Sequence, residues 1–443
     1  MKTENTHYRQ RIPSFVYALV YLAELLTVIM LLKGCTDTCV LRTTYTYYEP
    51  VYTPLTELRQ SVITEPAQPI NQVGRIYYKS GYLFINDPGK GMHVVDNRDP
   101  ARPVKKSFIS IPGNMNMAVK NNTLYADSYI DLVLLDIADP DDVKEIDRIE
   151  NVFSSYNSLG FYVDPVQGVV TDWVEKREVN LNDSDCASLI EPWGGVFFEG
   201  GIAMRSDAAT VMPAAAAPVG NSTGTGGSMA QFTIANDYLY MMDGGELKPA
   251  DISDEHNPVL KDPLYLSWDV ETIFPREDNL FLGSRSGMYI MDISNPATPA
   301  QLSFYGHIQS CDPVVVDGDY AYVTLRSGTP CEGFSNQLEI INISSLLNPY
   351  LEKTYTMHNP HGLGIDNNVL FICDGDAGLK VYNADDPLNL VQVAHYTEIN
   401  TYDIIPIDNV AMLIGSDGLF QYDYTNPLSI ELLSHIPVTG DVE

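Results

Sequence analysis

The sequence predicts an all-β fold, a seven-bladed β-propeller with four-stranded antiparallel blades and one long insertion. Three observations support this prediction. A short pattern returns seven times, most returns are 40 or 41 residues apart, and each copy combines short apolar segments with turn-forming residues. A period near 40 residues is typical of a four-stranded propeller blade. A two-sheet sandwich with accidental self-similarity is the alternative.

The repeated pattern is an apolar strand that ends in an aspartate or asparagine and is often followed by Asx-Pro. Its clearest copies are residues 91–100 and 287–296. The markers that end the strands are Asp96, Asp136, Asp251, Asp292, Asn342, Asn383 and Asp423. Their spacings are 40, 115, 41, 50, 41 and 40 residues, so we interpret the two longer gaps as insertions within the repeat.

Each copy has the local chemistry of a blade. An apolar strand precedes the marker strand, and Asx and proline residues then stop the strand and begin a turn. We therefore expect strands A, B, C and D in each blade, with strands C centred near residues 94, 134, 249, 290, 340, 381 and 421. Closing the blades into a ring would remove most exposed sheet edges.

The marker strands resemble the LVIVD repeat of bacterial exported β-propeller proteins. The resemblance runs from about Tyr45 to the C-terminus, apart from the insertion. Residues 48–52, 311–316, 321–326 and 359–363 are also similar to a group of Bacteroidetes-type lipoproteins. This resemblance implies the fold and export, and it implies no catalytic residues.

The N-terminus has the pattern of a secretory signal. Basic residues precede an apolar run over residues 15–32, which ends at Leu32-Lys33-Gly34-Cys35. That ending resembles a bacterial lipobox, although Lys33 and Glu24 depart from the pattern. We predict a signal peptide over residues 1–34, fatty acylation such as palmitate on Cys35, and membrane attachment through that lipid. An uncleaved helical anchor is the alternative.

The localisation that follows is the bacterial cell envelope, as an outer-membrane lipoprotein on either the periplasmic or the surface side. Residues 35–70 would form a tether, in which residues 61–65 have the composition of a strand that pairs onto the last blade. The formal net charge of −32 would repel phosphate backbones, so nucleic acid is excluded as a partner. The same charge is compatible with a role in solubility alone.

The propeller is predicted over residues 71–443, with an insertion over residues 154–228. The insertion ends in an Ala-, Gly-, Ser- and Thr-rich stretch that predicts a flexible linker, whereas Trp173 and Trp193 indicate a packed earlier part. The strand order predicts that the insertion leaves and re-enters the ring on one face. We call this the top face, since it carries the turns between strands B and C.

The starts of the inner strands should meet at the top mouth of the channel. Aligning the copies brings Gly74, Asn116, Ala230, Asp269, Asp312, His361 and Asp403 to that mouth, with Asp374 and Asp417 in bordering turns. Carboxylates and an imidazole are ligands for a divalent cation or a cationic group. The alternative is that these residues hydrogen-bond the starts of the inner strands. The insertion should lie over or beside this mouth.

We make three predictions about the cysteines. Cys35 carries the lipid, Cys311 and Cys331 form a disulfide on the top face, and Cys373 is a buried thiol in the core. The spacings contain no Cys-x-x-Cys motif, which gives no support for zinc.

The predicted function is non-catalytic binding or scaffolding of an envelope protein or glycan. The sequence contains no nucleophile elbow, phosphate loop or zinc-protease motif. The alternative is an enzyme that acts on envelope polysaccharide. Its metal or acid/base site would then be formed by Asp269, Asp312, His361 and Asp403.

Overall fold

The computed structural model describes residues 14–31, 38–154, 163–164, 166–185, 223–307, 310, 313–328 and 335–439. The chain divides into two compact units. The smaller unit comprises Met1–Val51 and Asp172–Arg205, and the larger comprises Tyr52–Thr171 and Ser206–Glu443. Nearly all regular structure in the described ranges is β-strand.

The N-terminal elements are α1 (Ser14–Leu31), β1 (Thr38–Thr53), α2 (Leu55–Leu58) and β2 (Ile63–Pro66). Over the ranges given above, no helix has both the length and the apolarity needed to cross a membrane.

The first two sheets follow directly in the chain. Sheet 1 has six strands, and its middle four are β3 (Ile76–Lys79), β4 (Tyr82–Asp87), β5 (Gly91–Asp96) and β6 (Val104–Ser110). Sheet 2 consists of β7 (Met117–Lys120), β8 (Thr123–Ser128), β9 (Asp131–Asp136) and β10 (Lys144–Ile149). The insertion that follows contributes β11 (Val163–Asp164), β12 (Gly168–Asp185) and β13 (Thr225–Gly226).

Five more sheets complete the larger unit. Sheet 3 is β14 (Phe232–Ala235), β15 (Tyr238–Asp243), β16 (Glu246–Asp251), β17 (Val259–Leu260) and β18 (Leu264–Tyr265). Sheet 4 is β19 (Val270–Arg276), β20 (Asn279–Ser284), β21 (Gly287–Asp292) and β22 (Ala300–Gly306). Sheet 5 is β23 (Val314–Asp317), β24 (Tyr320–Leu325), β25 (Gln337–Asn342) and β26 (Tyr350–Thr356). Sheet 6 is β27 (Leu363–Asp366), β28 (Val369–Cys373), β29 (Leu379–Asn383) and β30 (Val391–Tyr396). Sheet 7 is β31 (Thr401–Ile407), β32 (Val410–Gly415), β33 (Gly418–Asp423) and β34 (Glu431–Pro437).

These sheets confirm the β-propeller prediction. Each is an antiparallel meander in chain order, with β17 and β18 both pairing β16 along the outer side of sheet 3. All predicted centres of strands C, from residue 94 to residue 421, fall inside the third strand of a sheet.

The marker residues of the repeat are turn residues. In every sheet, a side-chain oxygen of the marker accepts a hydrogen bond from the backbone N–H two residues later, at 2.7–3.2 Å. This Asx turn directs the chain from the third strand to the outer strand. The recurrence of Asp and Asn therefore has a local structural cause.

Seven hydroxyl groups link the sheets into a closed ring. Each donates to a backbone carbonyl in the next sheet, and Ser434 of sheet 7 donates to Pro100 of sheet 1 at 2.6 Å. The other six bonds are Ser107 to Pro140, Tyr125 to Glu255, Tyr240 to Pro296, Ser303 to Leu346, Tyr355 to Pro387 and Tyr396 to Ile430. The core lies between adjacent sheets, and the cluster between sheets 7 and 1 contains Leu83, Val95, Met412 and Leu419.

The segment before the ring differs from its predicted position. Strand β2 pairs antiparallel with β6 on the outer side of sheet 1, not with the last sheet. The Arg59 guanidinium binds the buried carboxylate of Asp131 in sheet 2, with Nε 2.7 Å from Oδ2. Thr64 also donates to the carbonyl of Val143. These contacts hold α2 and β2 beside sheets 1 and 2, which prevents β2 from reaching sheet 7.

Candidate functional site at the centre of the propeller

Residues 223–230 fill the centre of the ring. Strand β13 pairs antiparallel with β3 of sheet 1, and Thr223 forms a bridge with Lys120 of sheet 2. Farther along, Ser228 contacts sheets 6 and 7, and the carbonyl of Ala230 accepts from Ile273 of sheet 4. One short segment therefore contacts inner strands on several sides of the ring.

The direction of this segment changes the predicted path of the insertion. Ser154 binds Asp243 in a top-face turn, so the chain leaves on the top face as predicted. Strand β3 runs from the top face to the bottom face, and its antiparallel partner β13 must run the opposite way. The chain therefore re-enters from the bottom, near Lys120, and the prediction of re-entry on the top face is wrong.

Small residues allow this close approach. A Cβ at Gly224 would lie 2.2 Å from Cε1 of Tyr77 and 2.8 Å from the carbonyl oxygen of Tyr78. The hydroxyl of Tyr77 donates to the carbonyl of Gly224 at 3.0 Å. The Gly- and Thr-rich composition had predicted a flexible linker. At residues 223–227 its cause is instead the narrow, buried channel, which has room only for small side chains.

Two of the predicted mouth carboxylates bind protein groups. Asp403 is fully buried, and its Oδ1 accepts from the backbone N–H and the hydroxyl of Ser228, at 3.1 and 3.0 Å. The Ser228 oxygen in turn accepts from the N–H of Leu363. Asp269 is buried and accepts from the hydroxyl of Ser267.

His361 lies against an arginine. Nη1 of Arg326 is 3.0 Å from Nδ1 and 3.1 Å from Nε2 of the imidazole, and the ring packs beside Tyr402. Burial, reinforced by the Arg326 charge, lowers the pKa of His361 to about 3. The imidazole is therefore neutral at physiological pH and suited to accept a hydrogen bond.

The two bordering aspartates behave differently from each other. Asp374 is fully buried, where it accepts from the N–H groups of His358 and Asn359 and forms an ion pair with Lys380. Asp417 is exposed in its turn. Asp312 lies outside the described residues.

Sequence reasoning missed the central charge of this region. Arg75 is buried and donates to the carbonyls of Met115 and Met229, which ties sheets 1 and 2 to the central segment. Burial lowers the pKa of Arg75 to about 10, against the opposing effect of Asp127, Asp403 and Glu271. Arg75 directly follows Gly74, which the repeat alignment brought to the mouth. The alignment therefore selected the residue directly before the central arginine.

Asp127 is the second missed residue. Its Oδ1 accepts from the N–H groups of Met115 and Asn116, at 2.6 and 2.8 Å. Burial raises the pKa of Asp127, and the hydrogen bonds and Arg75 oppose that rise. Asp127 thus orients the start of inner strand β7.

The metal hypothesis stays a prediction. Over the described part of the chain, no three His, Cys, Asp or Glu side chains are grouped so that they could hold a metal ion. The predicted set included Asp312, whose position the structure does not describe.

The cysteine expectations have different outcomes. Cys373 is a free, fully buried thiol, as predicted, and burial raises its pKa well above the ordinary value. Cys35, Cys311 and Cys331 lie outside the described residues, so lipidation and the disulfide stay predictions.

A two-stranded ribbon is the other candidate binding feature. Strands β1 and β12, 16 and 18 residues long, are adjacent in a three-stranded sheet, and Glu49 pairs with Lys176. The part of this ribbon in the smaller unit exposes Tyr47, Tyr48, Val51, Trp173 and Val174. Trp173, predicted to pack, is 52% exposed, and Trp193 lies outside the described residues.

Comparisons with known proteins agree with the architecture. A family model described as the LVIVD repeat matches residues 277–305 and 309–357, which confirms that resemblance. No curated protein matches the chain.

Solved structures with a similar fold have little sequence identity to this chain. A functionally unknown protein from Desulfotomaculum acetoxidans is 9% identical with a TM-score of 0.50, over 82% of this chain and 98% of that one. BamB from Moraxella catarrhalis is 8% identical with a TM-score of 0.46, over 86% and 97%. PorZ, described as an essential bacterial surface component of the type-IX secretion system of Porphyromonas gingivalis, is 13% identical with a TM-score of 0.45, over 86% and 40%.

Proposed function

Because this chain is an LVIVD-repeat β-propeller protein, we propose that it is a cell-envelope lipoprotein that binds a protein partner and performs no catalysis. The observation that carries the proposal is the exposed aromatic ribbon formed by β1 and β12. In this account the propeller is the scaffold, and the ribbon is the surface that the partner contacts.

The ribbon has the chemistry of a protein-binding surface. Tyr48 and Trp173 are 53% and 52% exposed, and their chain neighbours Tyr47 and Val174, whose side chains point to the opposite faces of the strands, are exposed as well. Aromatic side chains supply large contact areas at low entropic cost, and they are enriched at the energetic centres of interfaces. Large exposed apolar side chains on a protein surface commonly mark an interaction site.

The centre of the ring supports binding on outer surfaces in preference to chemistry in the channel. Residues 223–230 occupy the space between the inner strands, and Ser228 binds Asp403 there. Three further carboxylates, those of Asp127, Asp269 and Asp374, accept hydrogen bonds from nearby protein groups. An enzyme at this position would have to release carboxylates that the fold uses.

A ribbon deletion tests the proposal. Residues 173–220 are replaced by a flexible Gly/Ser bridge long enough to reach from the top face to the bottom face. This variant keeps Val163 and Val169, which pack against sheet 2, and the central segment from Thr223 onward. We expect a folded propeller that no longer captures the partner from solubilised envelopes.

The double variant Tyr48→Ser/Trp173→Ser tests the same surface without changing the length of the chain. It should lose the same partner. Undiminished capture by both variants would refute the ribbon as the binding surface. Retention of a polysaccharide instead of a protein would replace the protein partner by a glycan.

Attachment to the membrane has its own test. Cys35 follows the apolar segment at the position that a lipoprotein modifies. The variant Cys35→Ser should fail to incorporate a radiolabelled fatty acid and should leave the membrane fraction or accumulate unprocessed. Wild-type protein that incorporates no label would contradict lipidation.

A further inference from the structure

The outer strand of sheet 4 resembles the outer strand of sheet 1, which carries an additional strand. In sheet 1, β2 pairs antiparallel with β6, and Glu65 lies directly opposite Phe108. Over the ranges that the structure describes, β22 of sheet 4 pairs with β21 alone, so its other edge is open. Both β6 and β22 contain the dipeptide Ser-Phe at the same distance from their markers, as residues 107–108 and 303–304.

Phenylalanine occurs at this position of the repeat in these two sheets only. Phe108 and Phe304 each lie twelve residues after the marker of their sheet. The other five sheets have a polar residue or a proline there, namely Arg148, Pro263, Thr354, His395 and His435. Phe108, which lies beside β2, is 5% exposed, whereas Phe304 is 42% exposed. The additional strand thus covers the phenylalanine of sheet 1, and the equivalent ring of sheet 4 stays open to solvent.

The backbone of sheet 1 shows how the additional strand is held. The N–H of Ile111 donates to the carbonyl of Lys90 at 2.8 Å. Because the backbone groups of successive residues point to opposite edges of a strand, those of Phe108 and Ser110 point away from β5. Both residues lie opposite residues of β2, so β2 pairs with the backbone groups that this edge would otherwise leave unused.

The same geometry leaves backbone groups of sheet 4 at an open edge. The N–H of His307 donates to the carbonyl of Ser286 at 3.1 Å, which is the bond equivalent to the one in sheet 1. The N–H and C=O groups of Phe304 and Gly306 therefore point away from β21. Such an edge can pair with a strand of another chain.

Exposed aromatic side chains lie at the top end of this edge. The ring of Phe304 packs against that of Tyr289, with the ring centroids 4.6 Å apart, and a Cβ at Gly287 would lie 2.6 Å from Cζ of Phe304. Trp268 is 67% exposed, and the Arg285 guanidinium lies 5.8 Å from its ring centre. Phe304 and Trp268 thus lie beside the same turn of sheet 4, where they offer apolar surface to an added strand.

We propose that β22 binds an extended segment of a partner protein as a fifth strand, in the register in which β2 pairs with β6. Two residues of the segment, two positions apart, would exchange backbone hydrogen bonds with Phe304 and Gly306. The side chain opposite Phe304 would cover its ring, as β2 covers Phe108. The net charge of −32 favours a segment with basic residues over an acidic one. This site does not depend on the ribbon, so either proposal can fail without the other.

The probe is a peptide that copies residues 61–68, the segment that already forms this pairing with β6. It is titrated with the purified full-length chain, and binding is followed by the NMR signals of the peptide. We expect saturable binding with a Kd below about 1 mM. The Glu65→Lys version of the peptide should bind more tightly, because the chain is strongly acidic.

A chemically modified peptide tests the backbone pairing. A methyl group on the backbone nitrogen of the residue that copies Glu65 keeps every side chain and removes one donor to the edge of β22. This peptide should bind at least about tenfold more weakly than the unmodified one. Equal binding of the two peptides would show recognition by side chains alone and would overturn strand addition.

Two variants at one glycine assign the edge. Gly306→Pro removes an N–H that points to the open edge, and proline is tolerated in edge strands. Gly306→Ala keeps that N–H, and its Cβ would meet its nearest atom at 3.5 Å. We expect Gly306→Pro to weaken peptide binding at least about tenfold and Gly306→Ala to leave it unchanged. Both variants should unfold at a denaturant midpoint close to that of the wild type.

Two side-chain variants complete the assignment. Phe304→Ser should weaken peptide binding at least about tenfold, because the ring is no longer there to be buried. Tyr350→Ser removes an exposed aromatic side chain from the outer strand of sheet 5 and should leave binding unchanged. Absence of saturable binding to the wild type, or unchanged binding in both Gly306→Pro and Phe304→Ser, would overturn the proposal. Self-association of the wild type that Gly306→Pro abolishes, measured by sedimentation, would make a second copy of this chain the occupant and would also overturn it.

Discussion

At the scale of single residues, the centre of the propeller is an electrostatic cluster whose charges are assigned to structural tasks. Arg75 holds the central segment, Asp403 holds Ser228, and Arg326 lies against His361. Burial is the largest influence on the pKa values of Arg75, Asp127 and His361. Titration in this cluster should therefore appear first as a change in folding stability.

His361 gives the clearest pH prediction. Its pKa falls from an ordinary value near 6.5 to about 3 on folding, so the unfolded chain binds the proton more readily. The resulting stabilisation is present above pH 6.5 and is lost as the pH falls toward 3. When the pH is lowered from 7 to 5, the protonation of this residue in the unfolded chain should reduce the free energy of unfolding by about 2 kcal/mol.

Denaturant unfolding at the two pH values measures the effect. His361→Gln keeps a hydrogen-bond acceptor for Arg326 and removes the titrating group, so its stability should fall less between pH 7 and pH 5. An equal fall in the wild type and the variant would contradict the assignment.

The site residues show which features a sequence can predict. Asp269, His361 and Asp403 were brought to the inner strands by repeat alignment, because spacing within a blade fixes which residue begins strand A. Their partners Ser267, Arg326 and Ser228 were not predicted. Ser228 reaches Asp403 from the far end of an insertion, and no spacing rule predicts that contact.

At the scale of elements, the strands were predictable and the paths between them were less so. Alternation of apolar segments and Asx turns located all the third strands, because each turn is closed by a hydrogen bond from its own marker. Strand β13 escaped prediction because Thr225 and Gly226 have no hydrophobic periodicity. Strand β2 was predicted as a strand but assigned to the wrong sheet, because its partner is set by the Arg59–Asp131 contact.

Gly224 tests the central segment. A methyl group at this position would overlap the Tyr77 ring and the Tyr78 carbonyl, both of which are fixed in sheet 1. Gly224→Ala should therefore destabilise the propeller by about 1–3 kcal/mol, as overpacking of a core does. The measurement is the denaturant midpoint with its slope.

Gly306→Ala is the matched control. A Cβ there would meet its nearest atom, in the Phe304 ring, at 3.5 Å, which is ordinary contact. Its midpoint should stay close to that of the wild type. If Gly224→Ala unfolds at the wild-type midpoint as well, residues 223–227 do not occupy the channel in solution.

At the scale of the whole molecule, the ring of sheets is closed, and the two ends of its insertion lie on opposite faces of the ring. The hydroxyl links run from sheet to sheet and return from Ser434 to Pro100, so that no sheet of the ring lacks a neighbour on either side. The insertion leaves near Ser154 on the top and returns near Lys120 at the bottom. A long excursion of this kind costs little additional loop entropy, because closure entropy grows only logarithmically with length.

The central claim is that the partner contacts the ribbon and not the channel mouth. The most direct measurement is photocrosslinking in intact cells, with a photoreactive amino acid placed either at position 173 of the ribbon or at position 417 of the top mouth. Both native side chains are exposed, so neither replacement should disturb the core. We predict a discrete crosslinked protein from position 173 and none from position 417. A crosslink from position 417 alone would contradict the account and move the partner site to the mouth of the propeller.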